Sequence, residues 1–171
     1  CDQKNSNAHF GLGLANQQLD KLGLAEFHYN KALEINIDFS ECYINLGEVF
    51  RTQNRFGEAV KCLGIATQIE PSNLLAKFNL GLCLESAGDF QRAISELLDV
   101  VALAESIRDQ YILSEAHFVL GKCFSSIGEK TAAFRSYRSA IEIRPGFVNA
   151  INNLGVLFLE DSRYEKALHQ F

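Results

Sequence analysis

The sequence predicts an all-α fold, an α-α superhelix of antiparallel helix hairpins, and three observations support this prediction. First, a Leu-Gly pair recurs along the chain with a basic spacing of 34 residues. Second, each repeat holds two amphipathic segments separated by short polar or glycine-containing stretches, which is typical of paired helices. Third, no segment shows the alternating pattern of a β-strand. Repeats of this length indicate a solenoid, in which stacked hairpins bury one continuous core.

The repeat is defined by residues at constant distances from a glycine. The Leu-Gly glycines are Gly13, Gly47, Gly81, Gly121 and Gly155. An alanine follows twelve residues after each glycine, and a large side chain follows after sixteen, at Tyr29, Leu63, Leu97, Tyr137 and Phe171. Small residues let two helix axes approach closely. The space between neighbouring helices is then expected to be filled by aromatic residues such as Phe50, Phe90, Phe124 and Phe158. The two prolines, Pro71 and Pro145, are expected to stop second helices, because proline cannot continue a helix.

This pattern of Leu-Gly, alanine, a large side chain, a second alanine and proline resembles the tetratricopeptide repeat. The resemblance covers residues 6–171 and implies a single domain, 1–171. Its repeats are predicted at 6–39, 40–73, 74–113, 114–147 and 148–171, of which the last is truncated. First helices are expected near 6–19, 40–53, 74–87, 113–127 and 148–161. Second helices are expected near 22–36, 56–69, 90–109 and 130–143, with a shortened one from about 163.

The third repeat, 74–113, is six residues longer than the others, and the additional residues fall between Val100 and Ser114. No glycine or proline interrupts this stretch. We therefore expect the second helix of this repeat to be about one to two turns longer than the other second helices. Its polar side is either a local docking ridge or a tolerated variation in length.

The resemblance also implies that first helices line a concave groove, where a peptide or partner protein binds. Asparagine stands two residues before the glycine in three repeats, at Asn45, Asn79 and Asn153. An asparagine amide both donates and accepts hydrogen bonds, so a column of them can pair with the backbone of an extended peptide. The column resembles the asparagine ladder in the repeat domain of O-linked N-acetylglucosamine transferases. The alternative is that these amides bond to a neighbouring helix or to water.

Apolar side chains accompany the asparagines on the same helices. One position earlier lie Phe10, Ile44, Phe78 and Phe118, and one turn further on lies Leu82, in the repeat position that holds Glu48 and Lys122 elsewhere. We expect the apolar residues to be partly exposed, since they run along the inner surface of the groove. An exposed apolar strip of this kind is better explained by a partner than by stability. The alternative is that a neighbouring repeat covers some of them.

Composition and motif content argue against several classes of function. A net charge of −5 and a pI near 5.4 give no attraction to nucleic acid, and no apolar run reaches the roughly 20 residues of a membrane span.

His9 and His117 are expected to pack between helices, with His28 and His169 pointing outward, so no metal, cofactor or catalytic site is predicted. The sequence predicts a protein-interaction scaffold and not an enzyme. The alternative is the substrate-recognition arm of a larger enzyme, such as a glycosyltransferase.

The cysteines and the chain ends suggest the setting of the protein. Five cysteines form no Cys-x-x-Cys pair, which favours buried thiols in a reducing compartment, the cytoplasm, over disulfides or zinc. The chain has no methionine and stops at Phe171 inside an unfinished helix, so we expect a piece of a longer protein. The alternative is a lipoprotein anchored at Cys1. The truncated repeat 148–171 is expected to fray or to pair with a second copy of the chain.

Overall fold

The computed structural model describes residues 2–160, which form nine α-helices and no β-strand. Contacts divide the chain into two compact units, unit 1 at residues 1–87 and unit 2 at residues 88–171. Unit 1 contains α1 (Asp2–Gln18), α2 (Leu22–Ile35), α3 (Ser40–Thr52), α4 (Phe56–Ile69) and α5 (Leu74–Ser86). Unit 2 contains α6 (Phe90–Ile107), α7 (Gln110–Ser126), α8 (Lys130–Ile143) and α9 (Val148–Glu160). The predicted all-α fold of helix hairpins is confirmed, whereas the single domain and its repeat boundaries stay a prediction.

In unit 1, each helix packs against the next one along the chain, and short connections turn the chain between them. Asp20 and Asn54 make these turns within the hairpins, with φ angles of 55° and 59°. Aspartate and asparagine tolerate this left-handed conformation better than most residues. Pro71 lies in the connection after α4, and Asn73 then starts α5, since its side chain accepts a hydrogen bond from the Ala76 amide at 3.0 Å.

In unit 2, consecutive helices also pack as neighbours, and caps again mark the ends of helices. Gly128 makes the turn between α7 and α8 with a φ of 81°, which glycine adopts without steric cost. Asp89 and Asp109 cap α6 and α7 with their side chains, which accept hydrogen bonds from backbone amides three residues later. Pro145 lies two residues after the end of α8, as expected of a residue that cannot continue a helix.

In the hairpins α1–α2, α3–α4 and α7–α8, a glycine of the first helix packs closely against a large side chain of the second helix. An added Cβ at Gly13 would lie 2.4 Å from Cε1 of Tyr29, and one at Gly121 would lie 2.4 Å from Cε1 of Tyr137. The alanines of both hairpins that flank these rings in sequence, four residues before and three after, are completely buried. Only a residue without a side chain lets the ring lie this close to the partner helix.

The six additional residues of the third repeat are shared between two helices, whereas the sequence placed them in one. α6 has 18 residues where α2, α4 and α8 have 14, so it is longer by about one turn, as predicted. α7 has 17 residues where α3 and α5 have 13, an extension that the sequence did not predict. The connection between them is correspondingly short. Arg108 ends α6 in the left-handed conformation, with a φ of 58°, and Asp109 immediately caps α7.

The second helix predicted from about residue 163, and with it the truncated end of the last repeat, lies outside the described residues.

Candidate functional site

The first helices within each unit lie side by side, which places predicted binding residues on neighbouring helices. In unit 1, α3 contacts both α1 and α5, and in unit 2, α7 contacts α9. Unit 1 holds Phe10 on α1, Ile44, Asn45 and Glu48 on α3, and Phe78, Asn79 and Leu82 on α5. Unit 2 holds Phe118 and Lys122 on α7 and Asn153 on α9. The sequence-predicted residues therefore form two separate sets, one in each unit.

Phe10 and Ile44 are buried, so the expectation of partial exposure is wrong for both. Only 9% of Phe10 and 7% of Ile44 is accessible to solvent. The ring centroid of Phe10 lies 4.7 Å from that of Phe39 and 5.8 Å from that of Tyr29. Phe39 directly precedes α3, so the connection between the first two hairpins covers the apolar residue on α1.

Phe118, Phe78 and Leu82 are half-buried, in agreement with the expected partial exposure. The ring of Phe118 lies 4.9 Å from Phe147, which precedes α9 as Phe39 precedes α3. Sequence reasoning missed Phe39 and Phe147. Their common position directly before a first helix is a signal that could have found them.

Asn45 and Glu48 use their polar atoms within α3. The Asn45 amide nitrogen donates a hydrogen bond to the Glu41 carbonyl at 2.8 Å, one turn earlier in the same helix. The Glu48 carboxylate accepts two hydrogen bonds from the Arg51 guanidinium, at 2.8 Å from Nε and 2.5 Å from Nη2, and this contact raises the pKa of Arg51. Asn45, Glu48, Phe78, Asn79 and Leu82 are all half-buried. We call these five residues the unit 1 face, a mixture of apolar groups, amides and a paired charge.

In unit 2, Asn153 bonds to the neighbouring hairpin and borders a small pocket. Its amide nitrogen donates to the Tyr137 hydroxyl at 3.4 Å, and the Ser125 hydroxyl lies 3.5 Å from the same oxygen. The pocket has a volume of about 120 Å³ and is lined by Ser125, Tyr137, Asn153, Val156 and Leu157. In the sequence pattern, Tyr137 counted only as the large residue of its repeat. Two other repeats have leucine at this position, at Leu63 and Leu97. The hydroxyl group of the tyrosine is the difference that could have indicated a polar site.

Within the described residues, His9, His28 and His117 pair or pack inside hairpins and do not gather at one site. The Nδ1 atoms of His9 and His28 are 3.1 Å apart, so one ring nitrogen donates a hydrogen bond to the other. The expected outward position of His28 is therefore wrong, and His169 lies outside the described residues. Burial lowers the pKa of His117, which packs on α7 as expected. Within residues 2–160, no group of three or more His, Cys, Asp and Glu side chains could hold a metal ion.

None of the helices in the described part of the chain is both long enough and apolar enough to cross a membrane.

Comparison with solved structures and curated proteins extends these observations. A structure of MamA superposes with a TM-score of 0.87 at 22% identity and covers 97% of this chain and 87% of its own. A structure of YrrB, described as a TPR protein with an unusual peptide-binding site, has a TM-score of 0.78 at 25% identity over 94% of this chain and 80% of its own. Anaphase-promoting complex subunit 3 of Schizosaccharomyces pombe is 26% identical over 80% of this chain. The chain spans about 20% of that relative's length.

Two family models, both described as tetratricopeptide repeat, match the chain. One covers residues 44–109, and the other covers residues 6–37 and 114–147. Together the matches extend over most of the chain, and they coincide with the hairpins that the structure describes. On these grounds the chain belongs to the tetratricopeptide-repeat family.

Proposed function

We propose that this chain is a protein-interaction scaffold that binds an extended peptide, or a segment of a partner protein, along its first helices. The observation that carries the proposal is the side-by-side packing of first helices within each unit. This packing brings half-buried amide and apolar side chains of successive repeats onto adjacent helices. In unit 1 these are the residues of the unit 1 face.

The chemistry of the unit 1 face supports a peptide backbone as its ligand. Asn79 supplies an amide that can both donate and accept, which suits the alternating N–H and C=O groups of an extended chain. Asn45 spends one N–H on the Glu41 carbonyl and can offer the peptide its oxygen and its second N–H. Phe78 and Leu82 supply partly exposed apolar surface for the peptide's side chains. Glu48 is neutralised by Arg51, so the face does not select a strongly charged peptide. The description of YrrB as having a peptide-binding site lends further support.

We also propose that the described segment is not catalytic and works in the cytoplasm. The histidines support this proposal, because His9 and His28 bond to each other and His117 is held in its hairpin by burial. Burial raises the pKa of the Cys42 and Cys83 thiols to about 12 and that of Cys62 to about 11, which suits inert side chains in a reducing compartment.

The acidic net charge supports protein and not nucleic acid as the partner. Self-association through residues 148–171 stays a prediction, since part of this segment, residues 161–171, lies outside the described residues.

A peptide selection tests the proposed binding face. Random linear peptides displayed on phage are selected against the chain, and the affinity of an enriched peptide is measured by fluorescence anisotropy. We expect Asn79→Ala to weaken binding about five- to tenfold, because one hydrogen bond to the peptide is lost. The matched control is Asn30→Ala, an exposed asparagine on a second helix, which should leave the affinity unchanged.

A second substitution, Phe78→Glu, places a charge on the apolar part of the unit 1 face and should weaken binding further. Circular dichroism verifies that each variant keeps its helices. If Asn79→Ala and Phe78→Glu both leave the affinity unchanged in folded protein, the peptide binds elsewhere and the unit 1 face is not its site.

A further inference from the structure

The pocket of unit 2 is a site that the repeat pattern alone does not explain. We infer that it is a subsite for one short, uncharged side chain of a bound peptide, namely Ser, Thr or Asn. This inference rests on the proposed peptide-binding function and adds a requirement for one residue of the ligand.

The polar wall of the pocket consists of groups with long hydrogen bonds. The Tyr137 hydroxyl is 3.4 Å from the Asn153 amide nitrogen and 3.5 Å from the Ser125 hydroxyl. Optimal hydrogen bonds to a hydroxyl are about 2.7–3.0 Å long. A hydroxyl has one donor and two acceptor sites, and an amide side chain also has both kinds. These three groups can therefore improve their hydrogen bonding by accepting and donating to a ligand that enters between them.

The other walls restrict the size and charge of that ligand. None of the five lining residues is charged, so a carboxylate or an ammonium group would lose water without gaining a charged partner from the walls. Val156 and Leu157 provide an apolar side, which suits the methyl or methylene group of a short side chain. The pocket is small, with a volume of about 120 Å³, which suits a short side chain better than a long one. Val156 is 53% exposed, so this side of the pocket is accessible from solvent.

In the first hairpin of unit 1, a side chain of the protein itself bonds to the equivalent tyrosine hydroxyl. Gln17 stands four residues after Gly13, as Ser125 stands four residues after Gly121. Its side-chain oxygen accepts a hydrogen bond from the Tyr29 hydroxyl at 2.6 Å. Asn45, the counterpart of Asn153, bonds to its own helix. A long amide side chain thus satisfies the tyrosine in the first hairpin, whereas the short Ser125 leaves this place for a ligand.

A peptide library tests the subsite with a control taken from the chain itself. Random linear peptides are selected against the wild-type chain and against Ser125→Gln, which should occupy the pocket as Gln17 occupies the equivalent space. We expect wild-type selections to share one position restricted to Ser, Thr or Asn. The Ser125→Gln selections should lose that restriction and keep the preferences at other positions.

A matched peptide pair then isolates the hydrogen bond. In a selected peptide with threonine at that position, threonine is replaced by valine, which has the same shape and no hydroxyl group. The replacement should lower the affinity for the wild-type chain about five- to tenfold and leave the affinity for Ser125→Gln unchanged. If Ser125→Gln does not fold by circular dichroism, Val156→Phe, at an exposed lining position, narrows the pocket in its place and should have the same effect.

The outcomes separate the subsite from the function on which it rests. Selected peptides without a Ser, Thr or Asn position overturn the subsite and leave peptide binding intact. The same holds if the restriction survives in Ser125→Gln and Val156→Phe. Selection of no peptide at all overturns both the subsite and the proposed function.

Discussion

The hairpins α1–α2 of unit 1 and α7–α8 of unit 2 place a tyrosine against a glycine in the same way, yet the two hydroxyl groups differ. The ring contact is the same, since an added glycine Cβ would lie 2.4 Å from tyrosine Cε1 in both. Tyr29 donates a 2.6 Å hydrogen bond to Gln17, whereas Tyr137 has neighbours at 3.4 Å and 3.5 Å. The repeat therefore determines where the ring lies. One residue outside the repeat pattern determines what its hydroxyl does.

The largest expected effect comes from breaking the glycine–tyrosine contact, which is present inside each of the two hairpins. Gly13→Ala would drive a Cβ into the ring of Tyr29, which is completely buried and has no room to move. We expect the free energy of unfolding to fall by about 2–3 kcal/mol, the upper part of the usual range of about 1–3 kcal/mol for overpacking a core. Gly121→Ala should cost a similar amount, because it would meet Tyr137 at the same distance. Urea denaturation followed by circular dichroism measures both.

Gly11→Ala is the matched control, since it lies in the same helix with nothing within 4 Å of its added Cβ. It should stabilise the chain by about 0.5–1 kcal/mol through the better helix propensity of alanine. Equal effects of Gly11→Ala and Gly13→Ala would show that the close contact with tyrosine is not what holds the hairpin.

A smaller effect distinguishes the two hydroxyl groups. Tyr29→Phe removes the partner of the half-buried Gln17 side chain and should cost about 1–2 kcal/mol in the free energy of unfolding. Tyr137→Phe removes only long contacts and should cost less than about 0.5 kcal/mol. Thermal and urea unfolding of the two variants give the comparison directly. A larger loss for Tyr137→Phe would contradict the weak bonding on which the pocket's assignment depends.

The smallest effect concerns the histidines that occupy equivalent positions, four residues before Gly13 and Gly121. His9 bonds to His28, whereas burial lowers the pKa of His117 below its ordinary value of 6.5. The unfolded chain then takes up a proton at His117 more readily than the folded chain, so stability falls as the pH drops below about 6.5. His117→Gln should reduce this acid sensitivity. Unfolding midpoints of both proteins between neutral and mildly acidic pH test the prediction, which fails if their pH profiles are parallel.

Much of the fold could be predicted because its signals are local. The spacing of glycine, alanine and large side chains, together with turns and prolines, predicted helices whose ends mostly lie within a few residues of those observed. The third repeat was harder. Its additional stretch has no glycine or proline, so the sequence did not show where one helix ends and the next begins. Arg108 and Asp109 make that break by a left-handed residue followed directly by a cap.

The candidate site was less predictable than the fold, because exposure depends on what a neighbouring element covers. Phe10 occupies a position that looked open from the periodicity of α1, but Phe39 lies against it from the connection before α3. Phe118 has the same kind of neighbour, Phe147, and still remains half-buried. Periodicity predicts which side chains share one face of a helix, but it does not predict which residues from other elements cover that face.

The sequence by itself determined the repeat and the helices, because both depend on residues at constant separations along the chain. Only the tertiary structure decided that Asn45 bonds to its own helix while Asn153 reaches Tyr137, and that a pocket lies beside Ser125. The contact of Asn153 with Tyr137 and the pocket depend on distances of a few ångströms between atoms of different helices. Such distances follow from how the hairpins pack, and the spacing of residues along the chain does not predict them.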